Sequence, residues 1–132
     1  MSAIVDTCVL IAFHNASDEK HEAAVEFMRR ASKGEFGKLL LLDCVFGECV
    51  TLSLARSNSA KARKLGEWLL SSGFELAYSD SQGFAEAWNL FQKRDSLSFT
   101  DCAIASAALK KDASVLTFDR HFAGVPKLRV VR

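Results

Sequence analysis

The chain has 132 residues, 17 Lys and Arg against 16 Asp and Glu, a formal net charge of +1, and 49% hydrophobic residues. This length and composition are typical of one globular domain, residues 1–132, and exclude an intrinsically disordered chain. The small net charge excludes nucleic-acid binding by the overall charge of the protein, so any such binding requires a local basic patch.

The sequence contains no apolar stretch near the ~20 residues that a membrane-spanning helix needs. The N-terminal segment Met1–Asp6 has no basic region of the kind that begins a signal peptide. The four cysteines include no Cys-x-x-Cys pair and no Cys/His zinc spacing. We therefore expect a cytoplasmic protein without a membrane segment, whose thiols stay free in a reducing compartment.

Short apolar runs alternate along the chain with longer segments of helical period. The predicted strands are Ser2–Val5, Lys38–Leu42, Phe74–Tyr78, Ser114–Thr117 and Leu128–Val131. The predicted helices are Thr7–Phe13, Asp18–Ser32, Cys44–Ala55, a helix around Leu65–Leu69 that ends at Ser71–Gly73, one whose apolar face carries Phe84, Ala87, Trp88 and Phe91, and one that opens at Ser98–Asp101. This alternation predicts a three-layer α/β/α sandwich on a mainly parallel sheet.

Three local signals predict where helices begin. Asp43 is a plausible N-cap for the third helix, while Ser79–Gln82 and Ser98–Asp101 have the spacing of capping boxes. The Trp and Phe residues recur mostly at helical core spacing, which favours packing over base stacking.

Acidic residues stand where the predicted strands end. Asp6 follows the first strand directly, and Asp119 comes two residues after Thr117. Because ligands of parallel sheets bind beyond the carboxyl ends of the strands, we expect both acids at one edge. Asp101 lies in the first turn of the most apolar helix. Each acid also has a structural interpretation, namely strand end or helix cap for Asp6, capping box for Asp101, and turn for Asp119.

Glu48 is harder to explain structurally, since it shares a helical face with Val45 and Leu52. An unpaired charge on that face requires a basic partner, a raised pKa or a cation. No Lys or Arg lies within five residues of Asp6 or Glu48. Clustered carboxylates repel one another, so hard divalent cations are natural counter-charges, and the lack of Cys/His spacing favours Mg²⁺ or Mn²⁺ over Zn²⁺.

Four motifs together resemble the PIN-domain nucleases, a family that includes many VapC-type toxins. These are Val5-Asp6-Thr7, Gly47-Glu48, Ser98-Phe99-Thr100-Asp101 and Leu116-Thr117-Phe118-Asp119, in that order along nearly the whole chain. The resemblance implies a Rossmann-like α/β/α fold and a metal-dependent ribonuclease. It implies that Asp6, Glu48, Asp101 and Asp119 are the catalytic residues and the ligands of one or two Mg²⁺ or Mn²⁺ ions.

Residues beside the acids support or depart from this pattern. Thr7, Thr100 and Thr117 stand beside the acids, where their hydroxyls can orient carboxylates or metal-bound water; ordinary capping and strand propensity are the alternative, above all for Thr7. Cys8 is a departure, because many family members carry Asn two residues after the first Asp. Resemblance to VapC-type toxins further implies a homodimer and a protein antitoxin that blocks the pocket.

An RNA substrate requires positive charge near an acidic pocket. The segment between Glu48 and Glu67 contains no acid and carries four basic residues, and a fifth follows Asp119. The candidate RNA-binding residues are Arg56, Lys61, Arg63, Lys64 and Arg120. The alternative is an ordinary solvated helical face.

Two other functions compete with the nuclease. One is a catalytically silent scaffold that binds RNA or protein, against which the four intact acids argue. The other is a phosphate-accepting receiver domain, which would need an acidic pair after the first strand and a late Lys; Asp6 stands alone, and Asp119 follows Thr117 where that Lys is expected. No residue identifies a reader of the 2′-hydroxyl, so DNA is also open as a substrate.

Overall fold

Five short strands form one sheet in the computed structural model, which describes residues 1–132. The strands are β1 (Ser2–Val5), β2 (Lys38–Leu42), β3 (Glu75–Ala77), β4 (Ser114–Leu116) and β5 (Arg129–Val131). They lie in the order β3-β2-β1-β4-β5, and every neighbouring pair is parallel. The expectation of an α/β fold on a mainly parallel sheet is confirmed.

Helices connect the strands. They are α1 (Thr7–His14), α2 (His21–Ser32), α3 (Asp43–Arg56), α4 (Ser59–Ser71), α5 (Ser81–Lys93) and α6 (Phe99–Lys111), with a 3₁₀-helix at Arg120–Gly124. Crossovers between parallel strands are right-handed, so the steps from β1 to β2 and from β2 to β3 place α1–α4 on one face. The step from β3 to β4 runs the opposite way and places α5 and α6 on the other face. None of these helices is both long and apolar enough to traverse a bilayer.

The reversal of strand order falls between β1 and β4, the two central strands. Val5 pairs with Leu116 at their carboxyl ends, and both side chains are fully buried. A crevice opens outside the sheet at such a reversal, because the helices that follow the two strands diverge to opposite faces. Asp6 and Thr117, the next residue of each strand, therefore lie side by side at this point.

Helix α6 is central, as its apolar composition predicts. Its buried side chains are Cys102, Ile104, Ala105 and Ala108. The predicted capping box opens the helix, since the Ser98 side chain accepts from the Asp101 N–H and the Asp101 side chain accepts from the Ser98 N–H. Asp101 lies in the first turn of this helix.

Three helix starts differ from the predictions. Helix α2 begins at His21, because the Asp18 carboxylate accepts from the Lys20 N–H (2.8 Å) and holds a turn there. Asp43 is the first residue of α3 and not its N-cap; its carboxylate accepts from the Ser79 hydroxyl (3.0 Å) after β3. The N-cap of α5 is Asp80, one residue later than predicted.

The aromatic face of α5 is less buried than its helical spacing predicts. Phe84, Trp88 and Phe91 are 59%, 49% and 37% exposed, and only Ala87 on this helix is buried. The interpretation of these rings as core is wrong. Periodicity reports that a helix has an apolar face, but it cannot report how much of that face a neighbouring element covers.

Candidate active site

Both carboxylate oxygens of Asp6 accept hydrogen bonds. Oδ1 accepts from the Thr7 N–H (2.8 Å), which makes Asp6 the N-cap of α1. Oδ2 accepts from the Thr117 hydroxyl (2.7 Å) and from the Cys8 thiol (3.3 Å). The structural interpretation of Asp6 as a helix cap is therefore correct, and the hydrogen bond from Thr117 holds its carboxylate beside the end of β4.

Asp6 is only 4% exposed, and this burial disfavours the ionised form of its carboxyl group. The pKa of Asp6 is raised to about 6, chiefly by desolvation, and the negative charge of Asp101 contributes to the same rise. Hydrogen bonds from Thr117, Cys8 and the Thr7 N–H act in the opposite direction and lower it. The site thus holds an acid whose negative charge is poorly compensated by the protein.

The pKa of Asp101 is also raised. Burial is the largest cause that raises its pKa, and the charges of Asp119 and Glu48 also raise it. The capping-box hydrogen bonds with Ser98 oppose that shift. Asp101 thus interacts electrostatically with the three other acids, Asp6, Glu48 and Asp119, although all four are far apart in sequence.

Asp119 and Glu48 differ in how they are held. The Asp119 N–H donates to Thr117 Oγ1 (2.9 Å), and Asp119 Oδ1 accepts from the His121 N–H (2.8 Å) and lies 2.9 Å from His121 Nδ1. Glu48 is half-buried on α3 and makes no side-chain hydrogen bond or ion pair within the protein. No acid of the four is paired with Lys or Arg.

The chemistry of these donors suits a hard divalent cation, since they are carboxylates without Lys or Arg partners. Their geometry is not that of a formed metal site, because no three His, Cys, Asp or Glu side chains lie close enough together to hold an ion. The hydrogen bonds to Ser98 and His121 explain part of this spacing, since they direct Asp101 and Asp119 to neighbouring backbone groups.

Two polar side chains beside Asp6 have distinct environments. Cys8 Sγ lies 3.6 Å from Thr117 Oγ1 as well as near Asp6, and burial followed by the charge of Asp6 raises its pKa to about 12. Cys8 is therefore a protonated thiol that donates to Asp6. The Thr7 hydroxyl is buried without a hydrogen-bond partner.

The predicted basic residues separate into two groups. Arg56, Lys61 and Lys64 line one groove of about 710 Å³ between α1, α3 and α4. Arg63 and Arg120 are exposed outside that groove. None of the five forms an ion pair.

The same groove contains residues that sequence reasoning did not connect with function. Trp68 and His14 line it, with their rings in edge contact at 4.3 Å. Their positions in the chain offer no signal, because α1 and α4 meet only in the folded protein. Lys20 was missed as well; its Nζ lies 5.9 Å from the centroid of Phe118, between Thr117 and Asp119.

The protein has an α/β fold with an all-parallel sheet. Its candidate site lies at the carboxyl ends of the two central strands, where the strand order reverses. The sequence profile of the PIN domain matches residues 3–128, and the chain belongs to the PIN domain family. It is similar to a VapC ribonuclease of Archaeoglobus fulgidus, with 25% identity over 126 residues that cover 92% of this chain and 80% of the relative.

Solved structures show the same fold. VapC20 of Mycobacterium tuberculosis, described as a toxin that cleaves the sarcin-ricin loop, has a TM-score of 0.80 and 24% identity, over 96% of this chain and 98% of that one. VapBC2 of Rickettsia felis, solved with a DNA fragment from its promoter, has a TM-score of 0.73 and 15% identity, over 99% and 98% of the two chains.

Proposed function

We propose that this protein is an endoribonuclease that hydrolyses RNA phosphodiester bonds with Mg²⁺ or Mn²⁺ held by Asp6, Glu48, Asp101 and Asp119. The observation that carries the proposal is that four acids without Lys or Arg partners are linked by mutual repulsion. Asp6 responds to Asp101, and Asp101 responds to Asp119 and Glu48. Membership of the PIN domain family and the similarity to a VapC ribonuclease support the same activity.

The surrounding residues have distinct roles in this proposal. Thr117 orients Asp6 with its hydroxyl and Asp119 through the backbone N–H. Ser98 orients Asp101 by a hydrogen bond. The Glu48 side chain makes no hydrogen bond or ion pair within the protein. A bound divalent ion supplies Lewis acidity, which makes water a nucleophile near neutral pH and offsets negative charge on the phosphoryl group. The protein contributes the donors and a crevice at the sheet edge.

Further proposals concern partners and location. The relatives include toxin–antitoxin complexes, such as one from Klebsiella pneumoniae, so we propose that this chain is a toxin held inactive by a protein antitoxin and that it forms a homodimer. All four cysteines are free thiols, which agrees with the proposed cytoplasmic location.

The test is incubation of purified protein with mixed RNAs, with and without Mn²⁺, beside an Asp101→Asn control. Asn retains an oxygen that accepts from the Ser98 N–H, so this variant removes the charge and keeps the helix cap. We expect Mn²⁺-dependent cleavage by the wild type and none by the variant. Equal cleavage by both would reject the metal site, and RNA binding without any cleavage would favour the silent scaffold.

A further inference from the structure

We infer that the groove between α1, α3 and α4 binds the phosphate backbone of single-stranded RNA on one side of the cleaved bond. This groove is defined by the three cations Arg56, Lys61 and Lys64 together with His14 and Trp68. The inference rests on the proposed ribonuclease function and adds to it a phosphate-binding surface outside the acid cluster.

The charge of the groove is the first support. Its three cations have no acidic neighbours among the lining residues, and none of them forms an ion pair. Helix α4 begins beside the groove at Ser59, so the positive end of its dipole also faces an anion there. Arg56 lies in the last turn of α3, where its charge offsets the negative end of that helix.

The lining chemistry favours a nucleic acid over a protein segment. A partner helix binds by burying an apolar stripe, and only Ile11, Leu65 and Trp68 are apolar among the eleven lining residues. Hydroxyls of Ser17, Ser53 and Ser57 line the remainder, and they can donate to phosphate or ribose oxygens. The exposed His14 ring offers a surface on which a base can stack irrespective of its sequence, whereas Trp68 is packed against Phe13 and Phe74.

The groove lies beyond the acids along helix α3. Glu48 belongs to the acid cluster, and Arg56 follows it by eight residues on the same helix, which corresponds to ~12 Å along the axis. The groove is therefore a few nucleotides away from the acids. A backbone that leaves the site along α3 reaches Arg56 at the end of that helix and then Lys61 and Lys64 on α4.

The experiment measures binding separately from cleavage. Fluorescence anisotropy of labelled oligouridylate is recorded in the Asp101→Asn background without metal, over a range of salt. Arg56→Gln, Lys61→Gln and Lys64→Gln are each expected to weaken binding and to reduce the salt slope by ~0.7 per lost phosphate contact. Lys93→Gln on α5 is the remote control, since Lys93 is exposed, unpaired and on the other face of the sheet.

Arg63→Gln separates a specific groove from a diffuse field, because Arg63 lies on the same helix outside the groove. The inference requires a smaller loss for Arg63→Gln than for Lys61→Gln, and equal losses would overturn it.

Two further outcomes separate this inference from the proposed function. If the wild type does not cleave RNA but the groove variants still lose RNA binding, the groove stands and the nuclease fails. If the wild type cleaves and the groove variants bind oligouridylate normally while losing an acidic antitoxin peptide, the groove is a protein-binding site and the inference is wrong. Oligodeoxyuridylate, as a further arm, reports whether the ribose hydroxyl contributes.

Discussion

Thr117 donates its hydroxyl hydrogen to Oδ2 of Asp6 across 2.7 Å, and this bond joins the carboxyl ends of the two central strands at the point where strand order reverses. The same hydroxyl oxygen accepts from the Asp119 N–H at 2.9 Å. One fully buried side chain thus couples two of the four acids.

Thr117→Val should disturb both acids while preserving the shape of the side chain. The valine leaves the buried Asp6 carboxylate with one donor fewer and leaves the Asp119 N–H without its acceptor. We expect a loss of about 1–3 kcal/mol in the free energy of unfolding, measured by urea denaturation, together with weaker Mn²⁺ binding by calorimetry. Thr117→Ser is the matched control and should retain most of both properties, so equal losses in the two variants would contradict the role of the hydroxyl.

The metal-free protein should lose stability as the pH rises from about 4 to 6. Asp6 has its pKa raised from 3.8 to about 6 in the folded protein, so in this interval the folded state holds a proton that the unfolded chain has released. Stability falls where the folded state binds more protons, by about 3 kcal/mol for a shift of about two units at 1.36 kcal/mol each. The raised pKa of Asp101 acts in the same direction.

Asp6→Asn checks that assignment. The variant should be more stable than the wild type at pH 7 in EDTA, and its unfolding free energy should depend less on pH between 4 and 6. Mn²⁺ should stabilise the wild type at pH 7 and leave the variant nearly unchanged, because only the folded wild type binds the ion. A variant that is less stable than the wild type at pH 7 would show that the carboxylate is compensated in the native protein.

Asp101→Asn and Asp101→Ala should separate the two roles of this residue. Both remove the negative charge and are expected to abolish Mn²⁺-dependent cleavage. Only Ala also removes the acceptor of the Ser98 N–H, so it should cost about 0.5–1.5 kcal/mol more in thermal or urea unfolding. Cleavage that survives in Asn but not in Ala would indicate that Asp101 acts through the helix cap alone.

Glu48→Gln should abolish cleavage with almost no effect on folding. Glu48 has no hydrogen bond or ion pair to lose within the protein, so the change in unfolding free energy is expected to stay within about 0.5 kcal/mol. Glu67→Gln is a suitable control on the neighbouring helix α4, since that side chain is exposed. The measurement is single-turnover cleavage beside urea denaturation, and full activity in Glu48→Gln would remove this acid from the proposed site.

Two strands were predictable from local sequence pattern alone. Ser2–Val5 and Lys38–Leu42 have the predicted bounds, because buried parallel strands appear as continuous apolar runs. The capping box at Ser98 was also predictable, since its partners lie three residues apart. Asp80 replaced Ser79 as the cap of α5 because Asp43, from another helix, binds Ser79, and no local pattern contains that contact.

The sequence by itself determined the alternation of strands and helices, the parallel sheet, and the placement of Asp6 and Asp119 after strands. These follow from backbone periodicity and chain direction, which are local. Only the tertiary structure decided that Thr117 bonds to Asp6, that the aromatic face of α5 stays exposed, and that Arg56 and Lys64 share a groove with Trp68 while Arg63 does not. These contacts depend on how separate helices and strands pack against each other. The spacing of residues along the chain does not specify that packing.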